Sequence, residues 1–227
     1  VSWGGFWVAD SDLTLTDCAF VGNQGGGLNS SGTLDMRRCS FVAHRALSTA
    51  GIDHVGDLMA RKCRFVSNEG SAVNCLGSAT LIDCEFTGNS FRSARVVEAW
   101  GSLILEGCEF VGNSGRGVSG GAVAVHGDFL RARNCIFAGN SGGYGPGAIS
   151  TGSTAVVRLS HCTFIGNRGR PNTIEYPPVR QSLVSLTNCI VWDGPDPFTK
   201  FEAFPLEVIV TCSNVQGGYA GEGNIDV

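Results

Sequence analysis

Four carboxylates lie in two successive sequence repeats, and their spacing could support hydrolysis of a glycosidic bond. Asp83 and Glu85 flank one repeated cysteine, while Glu106 and Glu109 lie on either side of the next. Glycosidases use two carboxylates that are about 5 Å or roughly 6.5 to 9.5 Å apart. Direct stacking of the repeats would bring Glu85 and Glu109 near the shorter separation. These four residues are the catalytic candidates.

The same carboxylates also fit a purely structural arrangement. Lys62 and Arg64 occupy the corresponding places one repeat earlier, next to Asp83 and Glu85. Opposite charges on neighbouring strands form solvated pairs that stabilise a sheet without any chemistry. The sequence favours this salt-bridge ladder over a catalytic centre.

Three arginines form a second candidate site, suited to binding. Arg131 and Arg133 alternate along one predicted strand, and Arg158 falls at the place of Arg131 one repeat later. Guanidinium groups spaced along a flat sheet match the carboxylates or sulfates of an acidic glycan. The alternative is that Arg133 pairs with Glu106 of the preceding repeat and that the other two arginines are solvated.

Two long insertions interrupt the late repeats, at residues 168–181 and 193–205. Loops of this length on a regular scaffold often carry binding residues. The second insertion contains Phe198, Phe201 and Phe204, whose rings could stack on a sugar. The favoured alternative is that these rings cover the flank or the end of the core.

Other polar groups lack evident partners in neighbouring repeats, so they are interpreted as turn or loop clusters. The sequence predicts no metal site and no cofactor. These groups are Asp53 with His54 and Asp57, Asp193 with Asp196, and His126 with Asp128.

A phrase of the form CxFxGN recurs through the chain, from DCAFVGN at residues 17–23 to HCTFIGN at residues 161–167. Its cysteines are 21 to 27 residues apart. A period of this size indicates stacked units that cannot bury their apolar faces alone. The repeat cysteines are Cys18, Cys39, Cys63, Cys84, Cys108, Cys135, Cys162, Cys189 and Cys212.

Each unit begins with alternating apolar residues, such as Leu103 and Leu105, which predict a strand. The alternation skips one residue at the cysteine, which predicts a bend into a second short strand. A third short strand follows a glycine-rich corner. Leucine-rich repeats need a different leucine and asparagine spacing, and propeller blades are longer. The pattern therefore predicts an all-β fold, a parallel β-helix solenoid of about nine coils with three short strands per coil.

Equivalent residues of stacked coils should form ladders along the rod. Asparagine amides can bond up and down the stack, and asparagine tolerates a left-handed corner. His44 interrupts the asparagine pattern and predicts an irregular corner in the second coil. The ladder comprises Asn23, Asn68, Asn89, Asn113, Asn140 and Asn167, beside an aromatic column of Phe20, Phe41, Phe65, Phe86, Phe110, Phe137 and Phe164, which Val191 replaces in the next coil.

The ten cysteines are predicted to be buried free thiols. Cysteine is a small hydrophobe that suits a tight corner beneath a phenylalanine. Stacked parallel side chains keep their Cβ atoms too far apart for a disulfide unless the strands twist. Cys75 stands outside the column and is interpreted as a substituted core residue.

The composition suits a secreted solenoid, with 33 glycines and only 16% charged residues. No apolar run approaches eighteen residues, so no membrane insertion by this segment is expected. A net charge of −4 gives no reason to expect nucleic acid as a partner.

The phrases FVGN, FTGN, FAGN and FIGN, with the glycine-rich segments at 120–123 and 146–149, resemble the FxxN and GGA[ILV] repeats of polymorphic outer-membrane proteins. Those proteins are bacterial surface β-helices, often adhesins. The closing segments at 188–194 and 212–226 are similar to the last coils of secreted bacterial proteins of the pectate-lyase-like superfamily. The resemblance implies a right-handed single-stranded β-helix outside the cell or on a bacterial surface. It leaves activity open, because that superfamily contains lyases, hydrolases and adhesins.

The start of the chain looks like the third strand of a coil already under way, with Trp3, Phe6 and Trp7. Exposed strand edges invite pairing with another chain. Three explanations stay open: a fragment of a longer protein, an end capped by these aromatic rings, or subunits that associate through the β-helix ends.

We expect residues 1–227 to form one domain, a module or fragment of a longer surface protein. Its expected role is structural or adhesive, without catalysis, and its expected partner is an extracellular glycan or protein surface. The alternative is a polysaccharide lyase or glycoside hydrolase.

Overall fold

The computed structural model describes residues 5–91, 95–115, 121–152, 156–171, 173–175, 183–194, 197–198 and 207–225. In these ranges the chain is all-β, and its strands pair in parallel with those of the next coil. This confirms the predicted parallel β-helix. One sheet contains nine strands, which enclose eight full turns and agree with the expectation of about nine coils.

The second strand of each coil is short and follows the repeat cysteine. Its central residue points inward, so the nine-stranded sheet has one buried column and two outward columns. We call its outer surface the second-strand face. Its strands are Ala19–Val21, Ser40–Val42, Arg64–Val66, Glu85–Thr87, Glu109–Val111, Ile136–Ala138, Thr163–Ile165, Ile190–Trp192 and Asn214–Val215.

The first strands carry the alternating aliphatic residues and form the first-strand face. In two coils the preceding third strand runs into the first without a break, through Gly32 and Gly56, whose φ angles are 109° and 130°. The strands are Leu13–Thr16, Leu28–Arg37, Arg45–Arg61, Ala79–Ile82, Leu103–Glu106, Phe129–Arg133, Val156–Ser160, Leu183–Thr187 and Glu207–Thr211.

The third strands form the third-strand face and belong to the same 17-stranded sheet as the first strands. They are Phe6–Val8, the early parts of Leu28–Arg37 and Arg45–Arg61, and then Glu69–Cys75, Val97–Ala99, Val123–Val125, Ile149–Thr151 and Ile174–Glu175. Two-residue strands at Ser90–Phe91 and Ser114–Gly115 precede two of them.

The predicted bend before each cysteine is confirmed, and its cause is a left-handed residue. Asp83 has φ 52°, Asn134 has φ 53° and His161 has φ 55°. One residue in this conformation turns the chain and reverses which side chains face inward. Gly107 takes the same place with φ 63°, at the lowest steric cost.

A second left-handed residue precedes the asparagine ladder, which corrects the expectation that asparagine itself occupies the left-handed corner. The residue is glycine in most coils, such as Gly88 and Gly112, with φ 61° in both. Ala43 and Ser67 adopt the same conformation with φ 55°. The asparagine follows in a position where its amide can point into the stack.

The aromatic column is confirmed as a continuous stack of seven phenylalanine rings. Centroids of neighbouring rings lie 4.7 to 5.1 Å apart, with planes within 5° of parallel. Val191 pairs with Phe164 and ends the stack, as expected. The rings from Phe41 to Phe164 are fully buried, so this column is the centre of the core.

The asparagine ladder is confirmed, and its four central rungs, Asn68, Asn89, Asn113 and Asn140, have the same bonds. Asn68 donates Nδ2 to Oδ1 of Asn89 at 2.9 Å and to the carbonyl of Phe41 at 3.0 Å. The backbone N–H of Asn68 donates to the same Oδ1 at 3.0 Å. Each side chain therefore satisfies buried polar groups of the coil before it.

His44 occupies an asparagine place in this ladder and does not distort it. Its Nδ1 accepts the backbone N–H of Asn23 at 3.0 Å, and its own N–H donates to Oδ1 of Asn68 at 3.1 Å. The irregularity predicted in this coil lies just beyond, where the pairing register shifts between Arg45 and Ile52.

All ten cysteines are free thiols, as predicted, but Cys212 is exposed and Cys18 is half-buried, which corrects the expectation that all ten are buried. In the repeat column the sulfurs donate to backbone carbonyls: Cys84 bonds to Ile82 at 3.3 Å and Ala60 at 3.5 Å. Cys75 is fully buried at the place that Val125 and Thr151 take in later coils. Burial raises the pKa of the Cys39 and Cys75 thiols, which favours their protonated form.

Candidate functional site

The catalytic candidates Glu85 and Glu109 are neighbours on the second-strand face, as predicted. Glu85 is held by Arg64, whose Nε lies 2.8 Å from Oε2, and by Thr87, whose hydroxyl donates to Oε1 at 3.1 Å. The Arg64–Glu85 ion pair confirms one rung of the predicted salt-bridge ladder. Both ends of the Glu85 carboxylate are therefore occupied by structural contacts.

Asp83 and Glu106 do not join Glu85 and Glu109 in one site. Asp83 lies exposed at the left-handed bend, and Glu106 belongs to the first-strand face. Among the described residues, Lys62 forms no ion pair with Asp83. The bend rotates neighbouring residues onto different sides of the rod, so the four candidates are spread over three surfaces.

The three candidate arginines do share one surface. Arg131 lies directly opposite Arg158 on the next strand, and Arg133 lies two residues along from Arg131. All three side chains are exposed. In the part of the chain that the structure describes, none of them forms an ion pair with a carboxylate, including Glu106, the register neighbour of Arg133. The alternative pairing with Glu106 is therefore wrong.

Hydroxyl groups continue this surface towards the later coils. Arg133 is followed in register by Ser160, Thr187 and Thr211. The hydroxyls of Thr187 and Thr211 are 3.2 Å apart. Arg158 makes a cation–π interaction with Phe129, because its guanidinium carbon lies 5.8 Å from the centroid of that ring.

The group of Asp53, His54 and Asp57 does not converge, because successive strand residues face opposite ways. Asp53 points outward and accepts the amide of Asn74 at 2.8 Å. His54 points inward, is fully buried, and contacts the Ser30 hydroxyl at 3.0 Å and the Asp57 carbonyl at 3.2 Å. Burial lowers the pKa of His54.

Asp193 is a structural residue, since it closes the asparagine ladder. Its carboxylate accepts the N–H and the Nδ2 of Asn167 and the hydroxyl of Thr173, the last at 2.6 Å. Burial raises its pKa, although these bonds oppose the shift. Asp196 lies outside the described residues.

Phe198 is buried and cannot stack on a sugar, so its prediction as a binding residue is wrong. Its side chain is 5% exposed and meets the Tyr219 ring edge-on, with centroids 5.5 Å apart. This is the covering role that the sequence favoured. Phe201 and Phe204 lie outside the described residues.

Arg95, Glu98 and His126 form a charged cluster on the third-strand face, called the Glu98 cluster. The sequence had singled out only His126. Oε1 of Glu98 is hydrogen-bonded to Nε2 of His126 at 2.7 Å and accepts a hydrogen bond from Nη1 of Arg95 at 3.3 Å. The Trp100 ring stacks on the imidazole, with centroids 4.4 Å apart. The signal was hidden because Glu98 and His126 are 28 residues apart and meet only through the coil register.

The Glu98 cluster is electrostatically tuned. Burial alone would raise the pKa of Glu98, but the hydrogen bond from His126 and the charge of Arg95 outweigh it and hold this pKa below its usual value. Burial raises the pKa of Glu175, which lies three strands further along the same outward column. The Nε of Arg95 is buried without a hydrogen-bond partner.

The described ranges contain neither a cluster of metal ligands nor a membrane-spanning helix. No group of three or more His, Cys, Asp or Glu side chains there is arranged to hold a metal ion. Nor does any helix in that part of the chain have the length and hydropathy to cross a membrane.

The coil geometry agrees with a comparison to known families. The family described as right handed beta helix region matches residues 52–176, more than half of the chain. The chain belongs to the right-handed beta helix family. The matched region of this β-helix contains the three arginines and the Glu98 cluster. A search of curated proteins finds no match to the β-helix.

Proposed function

We propose that this β-helix is a non-enzymatic extracellular module with an adhesive role, whose first-strand face binds an acidic glycan. The observation that carries the proposal is the register of Arg131 and Arg158, which places two exposed and unpaired guanidinium groups on neighbouring strands. Arg133 adds a third on the same face.

The spacing suits a chain-like anion. Neighbouring strands are about 4.8 Å apart, and residues two apart on one strand are separated by roughly 6.6 Å. The guanidiniums can therefore meet successive carboxylates or sulfates of one glycan, each through two parallel hydrogen bonds. Ser160 and Thr187 extend the surface with groups that both donate to and accept from sugar hydroxyls.

The lyase or hydrolase alternative has less support. Glu85 is engaged by Arg64 and Thr87, which leaves Glu109 as the only unengaged candidate on the described second-strand face, and Asp83 and Glu106 lie on other surfaces. A two-carboxylate mechanism needs both groups on the same bond of the substrate.

Isothermal titration with heparin-derived and polygalacturonate-derived hexasaccharides tests the proposal. We expect binding that weakens with added salt, since exposed charges are screened. Arg131→Ala with Arg158→Ala should weaken it at least tenfold, and adding Arg133→Ala should abolish it.

The matched control is Arg45→Ala, an exposed arginine that pairs with Glu69 away from this face. It should leave affinity unchanged. Binding that survives the triple substitution would overturn the proposal. Shortened glycans after long incubation would instead support the enzymatic alternative.

A further inference from the structure

A column of amide and carboxylate side chains runs along the third-strand face. Coil register aligns Trp7, Asn29, Asp53, Asn74 and Glu98, one from each of five successive coils. At about 4.8 Å per coil the column is ~19 Å long. Asn29, Asp53, Asn74 and Glu98 point outward, because their strand neighbours are buried, and Trp7 is 66% exposed at the end of the column.

A second column lies two residues further along the same strands and is apolar. Val55 is 53% exposed, Leu76 50% and Trp100 53%, and His126 follows Trp100 in the next coil. Three large apolar side chains in successive coils form a contiguous exposed patch. The two columns together are called the polar–apolar strip.

The strip opens at one end into a cleft. A cavity of about 360 Å³ is lined by Trp7, Asn29 and Asp53 of the polar column and by the Leu47 side chain. Leu47 is 97% exposed, because the register shift in this coil makes its segment bulge outward. At the other end lie the stacked rings of Trp100 and His126.

We propose that the polar–apolar strip binds a neutral oligosaccharide that lies along the axis of the rod. A sugar ring has hydroxyl groups at its edge and C–H groups on its faces, and the strip offers partners for both within one ring width. Asn74 already donates to Oδ1 of Asp53, and Oε1 of Glu98 accepts Arg95 and His126. The second oxygen of each carboxylate can accept a hydrogen bond, the Asn29 amide can accept and donate, and the Trp7 indole N–H can donate, so sugar hydroxyl groups match the groups that the column leaves over.

Charge separates this ligand from the one proposed for the arginine face. Two arginines lie in or beside the strip, and both are already paired: Arg45, which lines the cleft, with Glu69, and Arg95 with Glu98. Asp53 adds a carboxylate to the same surface. An anionic glycan would therefore find no unpaired guanidinium among the described residues of the strip, which disfavours sulfated sugars and uronates.

The sheet also disfavours a peptide. Extended peptides usually bind sheets by adding a strand to an open edge. The strands below Asp53, Asn74 and Glu98 have partners on both sides, so their backbone groups are already bonded. Recognition here must come from side chains, which suits a ligand rich in hydroxyl groups.

Titration calorimetry with neutral hexasaccharides of glucose, xylose and mannose tests the proposal, with hexagalacturonate and an uncharged proline-rich decapeptide for comparison. We expect at least one neutral hexasaccharide to bind. Trp100→Ala and Asp53→Ala should each weaken that binding at least tenfold, whereas Arg131→Ala with Arg158→Ala should leave it unchanged.

The matched control is Trp192→Ala, which removes an exposed tryptophan from the second-strand face. Circular dichroism of each variant checks that the fold persists, and Leu76→Ser gives a further test without loss of a large ring. Failure of all neutral hexasaccharides to bind at millimolar concentration overturns the proposal. So does affinity that Trp100→Ala, Asp53→Ala and Leu76→Ser leave intact, or binding of the decapeptide alone.

Discussion

Oδ1 of Asn113 accepts two hydrogen bonds from Asn89, one from its backbone N–H and one from its Nδ2, both at 3.0 Å. Asn113 in turn donates Nδ2 to the carbonyl of Phe86 in the coil before it, at 2.9 Å. One buried side chain thus satisfies three polar groups of the preceding coil. The corners are held by this relationship, repeated from coil to coil.

Asn113→Ala should strongly destabilise the fold. It leaves the backbone N–H of Asn89 without a partner in a buried corner, at about 1 to 3 kcal/mol, and removes one further bond each from Nδ2 of Asn89, which keeps the Phe65 carbonyl, and from the Phe86 carbonyl. We expect the free energy of unfolding to fall by roughly 2 to 4 kcal/mol, measured as a lower midpoint of urea denaturation. Asn23→Ala is the control, because this side chain is half-exposed, and it should cost much less. Equal losses would contradict the ladder account.

Phe110→Leu should lower the free energy of unfolding more than Phe20→Leu does. Phe110 is fully buried between Phe86 and Phe137, whereas Phe20 is half-exposed and stacks on Phe41. Each aromatic contact contributes about 0.5 to 1.5 kcal/mol beyond its buried area. We expect a loss of about 2 kcal/mol for Phe110→Leu by thermal or urea unfolding. A larger effect at Phe20 would show that the stack does not govern stability.

The β-helix should lose stability in mild acid because of His44 and His54. Burial lowers the pKa of both side chains below the value of about 6.5 that the unfolded chain has. Below that pH the unfolded chain binds protons that the folded chain excludes, so stability falls as the pH decreases. Unfolding midpoints measured from pH 8 to pH 5 report this slope.

His44→Asn should flatten that slope and keep the corner intact. Asparagine can accept the N–H of Asn23 as His44 does, and it removes the buried Nε2 that has no partner. The control is His161→Asn, at an exposed bend, which should leave the slope unchanged. An unchanged slope in His44→Asn would exclude this histidine as the source.

The thiols should react with a maleimide in three classes. Cys212 is exposed and Cys18 is half-buried, whereas the other eight are buried. We expect rapid labelling of Cys212, slower labelling of Cys18, and about ten labels only after unfolding without reductant. Fewer labels in the unfolded chain would reveal disulfides and contradict the free-thiol assignment.

Much of this architecture can be predicted from the sequence, because each stacked coil repeats the same local pattern of residues. The alternation of Leu103 and Leu105, the parity change at Cys108 and the recurring asparagine each report one chain segment's own geometry. Glycine before five of the six ladder asparagines marks the left-handed corner, and Ser67 takes that place before Asn68, although the sequence alone suggested the asparagine for it. His44 shows the limit, since it differs in type but fills the same hydrogen-bonding role.

The surfaces depend on register and on where each bend turns the chain. Asp83 is close in sequence to Glu85, and Glu106 is close to Glu109, yet the left-handed residue in each coil places them on other surfaces. Glu98 and His126 are 28 residues apart and share a hydrogen bond, because coil length sets which residues become neighbours. Local pattern therefore specifies the coil and its core, while contacts across coils, which no single segment encodes, create the binding surfaces.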